Sequence, residues 1–86
     1  MFVILVYDVN KKRVLRVNKI CKKYLTAIQK SVFEGDLRKS QLDKLKSELE
    51  KSIVVTEDYI CIYTFNSTRY SSKEKIGICD EYRNII

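Results

Sequence analysis

Phe2-Val3-Ile4-Leu5-Val6-Tyr7-Asp8 is the stretch on which the fold turns. Six aliphatic or aromatic residues in a row, with no polar alternation, predict a strand buried on both faces. The run is far too short to span a bilayer and no cleavage site follows it, so it is not read as a membrane or export segment. Asp8 ends the strand, and Asn10 stands where the next element needs an N-cap.

Downstream, Val14, Val17, Cys21, Tyr24, Leu25 and Ile28 recur at helical spacing, which predicts a helix from about Lys12 to Leu25. Its opposite face carries Arg13, Arg16, Lys19, Lys22 and Lys23. Between Asp8 and Glu34 there is no Asp or Glu, so like charges stand three and four residues apart without an offsetting acid. A bound polyanion would relieve that repulsion. The net charge of +6 and pI near 9.3 point the same way, although a basic excess also serves solubility.

Thr26–Asp36 has strand character anchored by Ile28, Val32 and Phe33, as one bent strand or a tight hairpin. Ser40, with Asp43 three residues on, opens a second helix that lines up Leu42, Leu45, Leu49 and Ile53. Lys44–Glu48 and Lys46–Glu50 give its other face mixed charge, the pattern of a solvated surface. Asp58–Phe65 reads as a strongly apolar strand, Asn66–Lys75 as a polar loop and Ile76–Cys79 as a short last strand.

This order, β-α-β-β-α-β with a short strand after it, predicts an α+β fold, a ferredoxin-like sandwich formed by residues 1–86 as a single domain. The helices of such a fold cover one sheet face. The first strand is apolar on both, so a second copy is expected on the open face, in a sheet-to-sheet homodimer. A composition of 45% hydrophobic and 33% charged residues, with two Gly and no Pro, argues against disorder.

Several chemistries are excluded. There is no His, and the three Cys lack C-x-x-C spacing, so zinc is not expected and the thiols read as buried in a reducing cytoplasm. A serine nucleophile would have no histidine base, and no Gly-rich phosphate loop appears. The aromatic and glycine code of an RNA-recognition module is missing, which favours backbone and shape contacts over sequence readout. What remains is Asp8. A carboxylate there suits Mg²⁺ or Mn²⁺, and a two-fold dimer would bring two copies together. Alternatively, Asp8 simply ends the strand in a turn. Tyr7 either orders that site or is a core aromatic, Ser31 bonds a phosphate or a neighbouring strand, and Phe33 belongs to the core or to the dimer interface.

Val-Tyr-Asp-Val at 6–9, Lys-Lys-Tyr-Leu at 22–25 and Ile-Gln-Lys-Ser-Val-Phe-Glu-Gly-Asp-Leu at 28–37 together resemble the CRISPR-associated Cas-two family. The Leu-rich second helix, the Asp58–Tyr63 strand, Ile76-Gly77 and the terminal Asn84-Ile85-Ile86 continue the likeness along essentially the whole chain. The chain departs at Ala27 and Lys30, where such proteins often carry Trp, and Asn or Tyr. The resemblance implies a ferredoxin-like homodimer whose last strand, about 76–79, joins the partner's sheet, with Phe33, Ile76 and Ile78 at the interface. It implies Mg²⁺-dependent endonuclease activity on single-stranded RNA or double-stranded DNA, with Asp8 as metal ligand and Asp8 and Tyr7 as catalytic residues. It also implies a role in spacer acquisition, bridging the CRISPR integrase (the Cas-one protein). Lys11, Lys12, Arg13, Arg16, Lys19 and Ser31 are then the expected nucleic-acid contacts. A ferredoxin-like RNA-cleaving toxin or RNA-binding module is the competing expectation.

Overall fold

The computed structural model describes residues 1–67 and 70–77. Seven elements follow one another: β1 (Phe2–Asp8), α1 (Val14–Tyr24), β2 (Thr26–Gln29), β3 (Val32–Asp36), α2 (Lys39–Ser52), β4 (Tyr59–Ser67) and β5 (Tyr70–Gly77). The strands form one sheet in the order β2-β3-β1-β4-β5, antiparallel at every pairing. This is the expected ferredoxin-like α+β arrangement with β5 added beyond β4.

β1 lies at the centre of the sheet, and its apolar run resolves into two stripes. Val3, Leu5 and Tyr7 are buried, while Phe2, Ile4 and Val6 are half-buried. The first stripe faces the helices, where Val17, Ile20 and Cys21 of α1 and Leu42, Leu45 and Leu49 of α2 close a core with Phe33, Ile60 and Ile62. The second stripe lies beside Phe65, Tyr63 and Cys61 of β4 in register, with the Phe2 and Phe65 rings 6.3 Å apart. Phe33 therefore moves from the expected interface to the core. It is fully buried on the helix side, because it pairs with Leu5 and shares that residue's face.

Thr26–Asp36 is a hairpin turning at Lys30-Ser31, with a bulge between Ala27 and Gln29. It lacks Gly or Asn at the turn because tertiary bonds do that work. The Tyr7 N–H donates to Ser31 O at 3.1 Å and the Tyr7 hydroxyl to Lys30 O at 3.3 Å. Ile28, expected as an anchor, is 49% exposed on the edge strand β2.

β5 is the largest departure from expectation. Residues 70–75 form strand rather than loop, pairing with β4 from Tyr70 to Gly77. An edge strand rich in Lys and Glu has no hydrophobic pattern to announce it, and such charge is how sheet edges avoid further pairing. Ile76 sits opposite Ile60 and packs against the core, within its own chain. Ile78 and Cys79 lie outside the described residues. Gly77 adopts φ +98°, and a Cβ there would stand 1.9 Å from the Asp58 carbonyl oxygen. Gly77→Ala is expected to combine backbone strain of about 1–3 kcal/mol with that overlap. Thermal melts should show a clear loss, and faster amide exchange at Tyr59 and Ile60 would mark the release of the β5 end. An unchanged melting curve would contradict this.

α2 begins at Lys39, one residue before the expected Ser40, with the Arg38 N–H donating to Gln41 Oε1 at 2.9 Å. Its charges are not merely solvated. Glu48 accepts from both Lys23 and Tyr24 of α1, and Lys46 reaches Glu74 of β5 at 2.7 Å. The pairs expected within the helix are thus replaced by bonds to its neighbours.

Candidate functional site

The carboxyl end of β1 delivers Asp8 to the rim of the sheet. Its backbone pairs with Tyr59, and its side chain is exposed. Beside it opens a cleft of about 470 Å³, lined by Asp8, Val14, Leu15, Asn18, Lys30 and Ser31 among others. Helix α1 forms one wall and the β2–β3 turn the other.

Tyr7 fixes that turn. Its ring stacks on Phe33 at a centroid distance of 6.0 Å and an interplanar angle of 23°, and only 4% of the residue is exposed. Its hydroxyl proton goes to Lys30 O, and its oxygen accepts from Asn18 Nδ2 at 3.4 Å. Tyr7 thus ties α1 to the turn, and its hydroxyl is occupied by protein groups. The Ser31 carbonyl accepts from the Tyr7 N–H of the neighbouring strand, and Ser31 also lines the cleft.

The expected basic residues divide into two groups. Lys11 and Lys12 are exposed in the turn before α1, with the Lys12 N–H capped by Asn10 Oδ1 at 3.0 Å. Asn10 therefore caps this turn, and the helix itself starts after Arg13. Arg16 and Lys19 lie exposed on the outer face of α1. A second cleft of about 850 Å³ runs along that face between Arg16, Lys19, Lys22 and Lys23, and it shares Leu15 and Asn18 with the first.

Arg13 leaves the group expected to meet nucleic acid. Its Nη2 donates to Glu57 Oε1 at 2.8 Å, and its Nε and Nη2 clasp the two oxygens of Asp58. These bonds, first that to Asp58, raise its pKa further above an already basic value. Asp58 is fully buried and also accepts from the N–H groups of Asn10 at 2.8 Å and Val54 at 2.9 Å. The acid-free stretch of sequence is thus partly neutralised in space, by Glu57 and Asp58 on Arg13 and by Glu48 on Lys23. Lys11, Lys12, Arg16, Lys19, Lys22 and Lys30 make no ion pair among the described residues.

Sequence reasoning missed Asn18, Leu15 and the Arg13–Glu57–Asp58 network. Asp58 did leave a trace, as one acid directly before an apolar strand. Leu15, at 79% exposure, left another as an apolar residue off the helix's buried stripe.

Among the described residues no three His, Cys, Asp or Glu side chains gather as a metal centre. The donors at the cleft are oxygens, the Asp8 carboxylate and the Ser31 hydroxyl, which suit a hard cation. One carboxylate fits such an ion only when water, phosphate or a second chain completes the shell. Cys21 is buried, and burial pushes its thiol up to about 12, so it is no nucleophile. Cys61 is buried as well. No helix among the described residues is long and apolar enough to cross a membrane.

Comparison with known proteins agrees with this architecture. The family described as CRISPR associated protein Cas2 matches residues 1–73. The CRISPR-associated endoribonuclease Cas2 of Thermotoga maritima is 42% identical over 78 residues, spanning 91% of this chain and 90% of the relative. That of Dictyoglomus turgidum is 41% identical with the same coverage. A crystal structure of Cas2 superimposes with a TM-score of 0.75 at 46% identity, over 81% of this chain and 79% of the other. The Streptococcus pyogenes Cas2 structure gives a TM-score of 0.71 at 31% identity, over 79% and 89%. With a family match across most of its length and relatives above 40% identity, the chain belongs to the CRISPR-associated Cas2 family.

Proposed function

We propose that this chain works in the cytoplasm as a homodimer in CRISPR spacer acquisition, binding double-stranded DNA and bridging the CRISPR integrase. We further propose that it hydrolyses phosphodiesters of single-stranded RNA or double-stranded DNA with Mg²⁺. The observation that carries the reading is positional: among the described residues, Asp8 is the one carboxylate lining a cleft that runs into the basic face of α1, where Arg16, Lys19 and Lys22 make no ion pair with a described residue. The relatives' name, endoribonuclease, supports the hydrolytic half.

In this reading the apolar stripe of Phe2, Ile4 and Val6 is covered by the same stripe of a second copy. Asp8 and its counterpart in the second chain hold the ion, with water and phosphate oxygens completing its shell. The bound ion would supply charge stabilisation at the phosphate and a more acidic water. Tyr7 keeps the Lys30-Ser31 turn opposite Asp8, and Ser31 with Lys30 receives a phosphate. Lys11, Lys12, Arg16 and Lys19 carry the remaining phosphate contacts, and Arg13 contributes by holding the start of α1.

Binding of duplex DNA should therefore fall steeply with salt, because each neutralised phosphate releases counterion. Arg16→Glu and Lys19→Glu are each expected to reduce the slope of log K against log salt by about 1 and to weaken all sequences alike. Fluorescence anisotropy over a salt series measures this. An affinity indifferent to salt would remove the basis of the scaffold role. Cleavage is tested separately at Asp8, and an acquisition assay with the same variant tells a catalytic requirement from a scaffolding one.

A further inference from the structure

The cleft beside Asp8 holds more than a phosphate site requires. Its walls include Val14 and Leu15, and Leu15 is 79% exposed although an amphipathic helix would normally place an apolar residue inward. Asn18 lines it as well, and the orientation of its amide is decided by its neighbour. The single Tyr7 hydroxyl proton is given to Lys30 O, a pure acceptor, so the Tyr7 oxygen can only accept from Asn18. Asn18 must then turn Nδ2 to Tyr7 and keep Oδ1 as a free acceptor, with no partner for it among the described residues. An aliphatic surface next to an oriented amide, with Oδ1 and the second Nδ2–H both available, matches a nucleobase, which offers a flat face and an edge of N–H donors and acceptors.

The two clefts meet at Leu15 and Asn18. The one along α1 is lined by Arg16, Lys19 and Lys22, the pattern of a track for a phosphate backbone, and by Lys23, which pairs with Glu48. The volume beside Asp8, about 470 Å³, lies within the roughly 300–1,000 Å³ of small-ligand sites. We infer that the cleft beside Asp8 is a subsite for one unpaired nucleotide: its base lies on Leu15 and Val14 with an edge N–H donated to Asn18 Oδ1, while the strand's backbone follows the basic face of α1. This rests on the proposed phosphodiester substrate and, of the two forms named there for cleavage, selects the single strand with an accessible base, leaving duplex binding to the basic surface outside this cleft. A base-paired strand has its edge donors engaged and its faces stacked, and so cannot enter. RNA and DNA single strands share this chemistry, and the presence of the 2′-hydroxyl separates them.

The test is binding without cleavage, in EDTA, by fluorescence anisotropy with the full chain. The probes are a 12-nucleotide single-stranded RNA, the same sequence as DNA, an abasic strand of equal length and charge, and a blunt DNA duplex. Wild type should prefer the base-bearing strands over the abasic one by about tenfold, the scale of one base contact. Leu15→Ala and Asn18→Leu should each erase most of that preference and change duplex affinity by less than about twofold. Leu15 is on the surface, so its substitution leaves the fold intact and keeps the test valid should Asn18→Leu disturb the turn. Equal losses on every probe, or an unchanged preference in Leu15→Ala, would overturn the subsite. RNA favoured over DNA in wild type would show that the subsite also meets the 2′-hydroxyl; equal affinity would show that it reads the base alone. Failure of wild type to bind any probe would instead count against the proposed function itself.

Discussion

Asp8→Asn is expected to lower the proposed Mg²⁺-dependent cleavage by about three orders of magnitude and to leave the fold and the proposed dimer in place. The size follows from the role proposed for the carboxylate. A metal ion at a reacting phosphate supplies several kcal/mol of charge stabilisation, and each 1.36 kcal/mol is a factor of ten in rate. The amide keeps the shape and one oxygen but loses the charge that holds a hard cation. Little stability should be lost, because Asp8 is exposed and its place in the sheet is secured by backbone pairing with Tyr59. The decisive comparison is cleavage of one labelled substrate by wild type and variant purified in parallel, with circular dichroism and sedimentation on the same samples. Undiminished cleavage by the Asn variant would reject Asp8 as the ligand, and collapse of the dimer would mean that its carboxylate is structural.

The second large effect is on stability. Asp58→Ala is expected to destabilise the domain by about 3–5 kcal/mol, since it leaves the Asn10 and Val54 N–H groups and Arg13 Nε without their acceptor and leaves Glu57 as the partner of Arg13. In a domain of this size that corresponds to a fall in Tm of at least about 12 °C. The same carboxylate gives the fold an acid limit. Burial alone would raise its pKa, but Arg13 and the Val54 and Asn10 N–H groups outweigh burial and hold it below its ordinary 3.8. A folded pKa below the unfolded one means that the stabilisation is complete above about pH 4 and is lost as pH falls toward the folded value. Thermal melts from pH 7 to pH 2 should show a steeper acid loss for wild type than for Asp58→Asn. Parallel curves would show that other groups carry the acid sensitivity.

What the sequence could announce depended on whether a residue's role was local. β1, the two helices and the apolar half of β4 were legible because buried faces impose a period, and the element order then left few α+β topologies. The hairpin was half legible: strand character was evident, but its turn is fixed by Tyr7, some twenty-three residues away, and no turn residue marks it. β5 was hidden because Ser71 to Lys75 look like loop residues and become a strand only through pairing with β4. At the site, Asp8 stood out through its place after β1. The one-signed charge of α1 was overestimated, since Glu48, Glu57 and Asp58 arrive from elsewhere in the chain and take Lys23 and Arg13 out of it. Asn18 was invisible for the same reason in reverse. Its significance comes from a hydroxyl on β1, and no helical pattern distinguishes an amide there.

The two borders of the sheet are unequal, and that inequality limits what the protein can build. β2 has four residues, every one exposed, and a bulge that breaks the repeat of its backbone groups, so a flat incoming strand finds no matching ladder. β5 runs for eight residues at the other border. Filaments propagate only when each added unit offers a fresh receptive border opposite the one it used. With β2 short and bulged and β5 carrying the Lys and Glu that discourage pairing, no such succession of borders exists, so open-ended growth by strand addition is blocked even at high concentration.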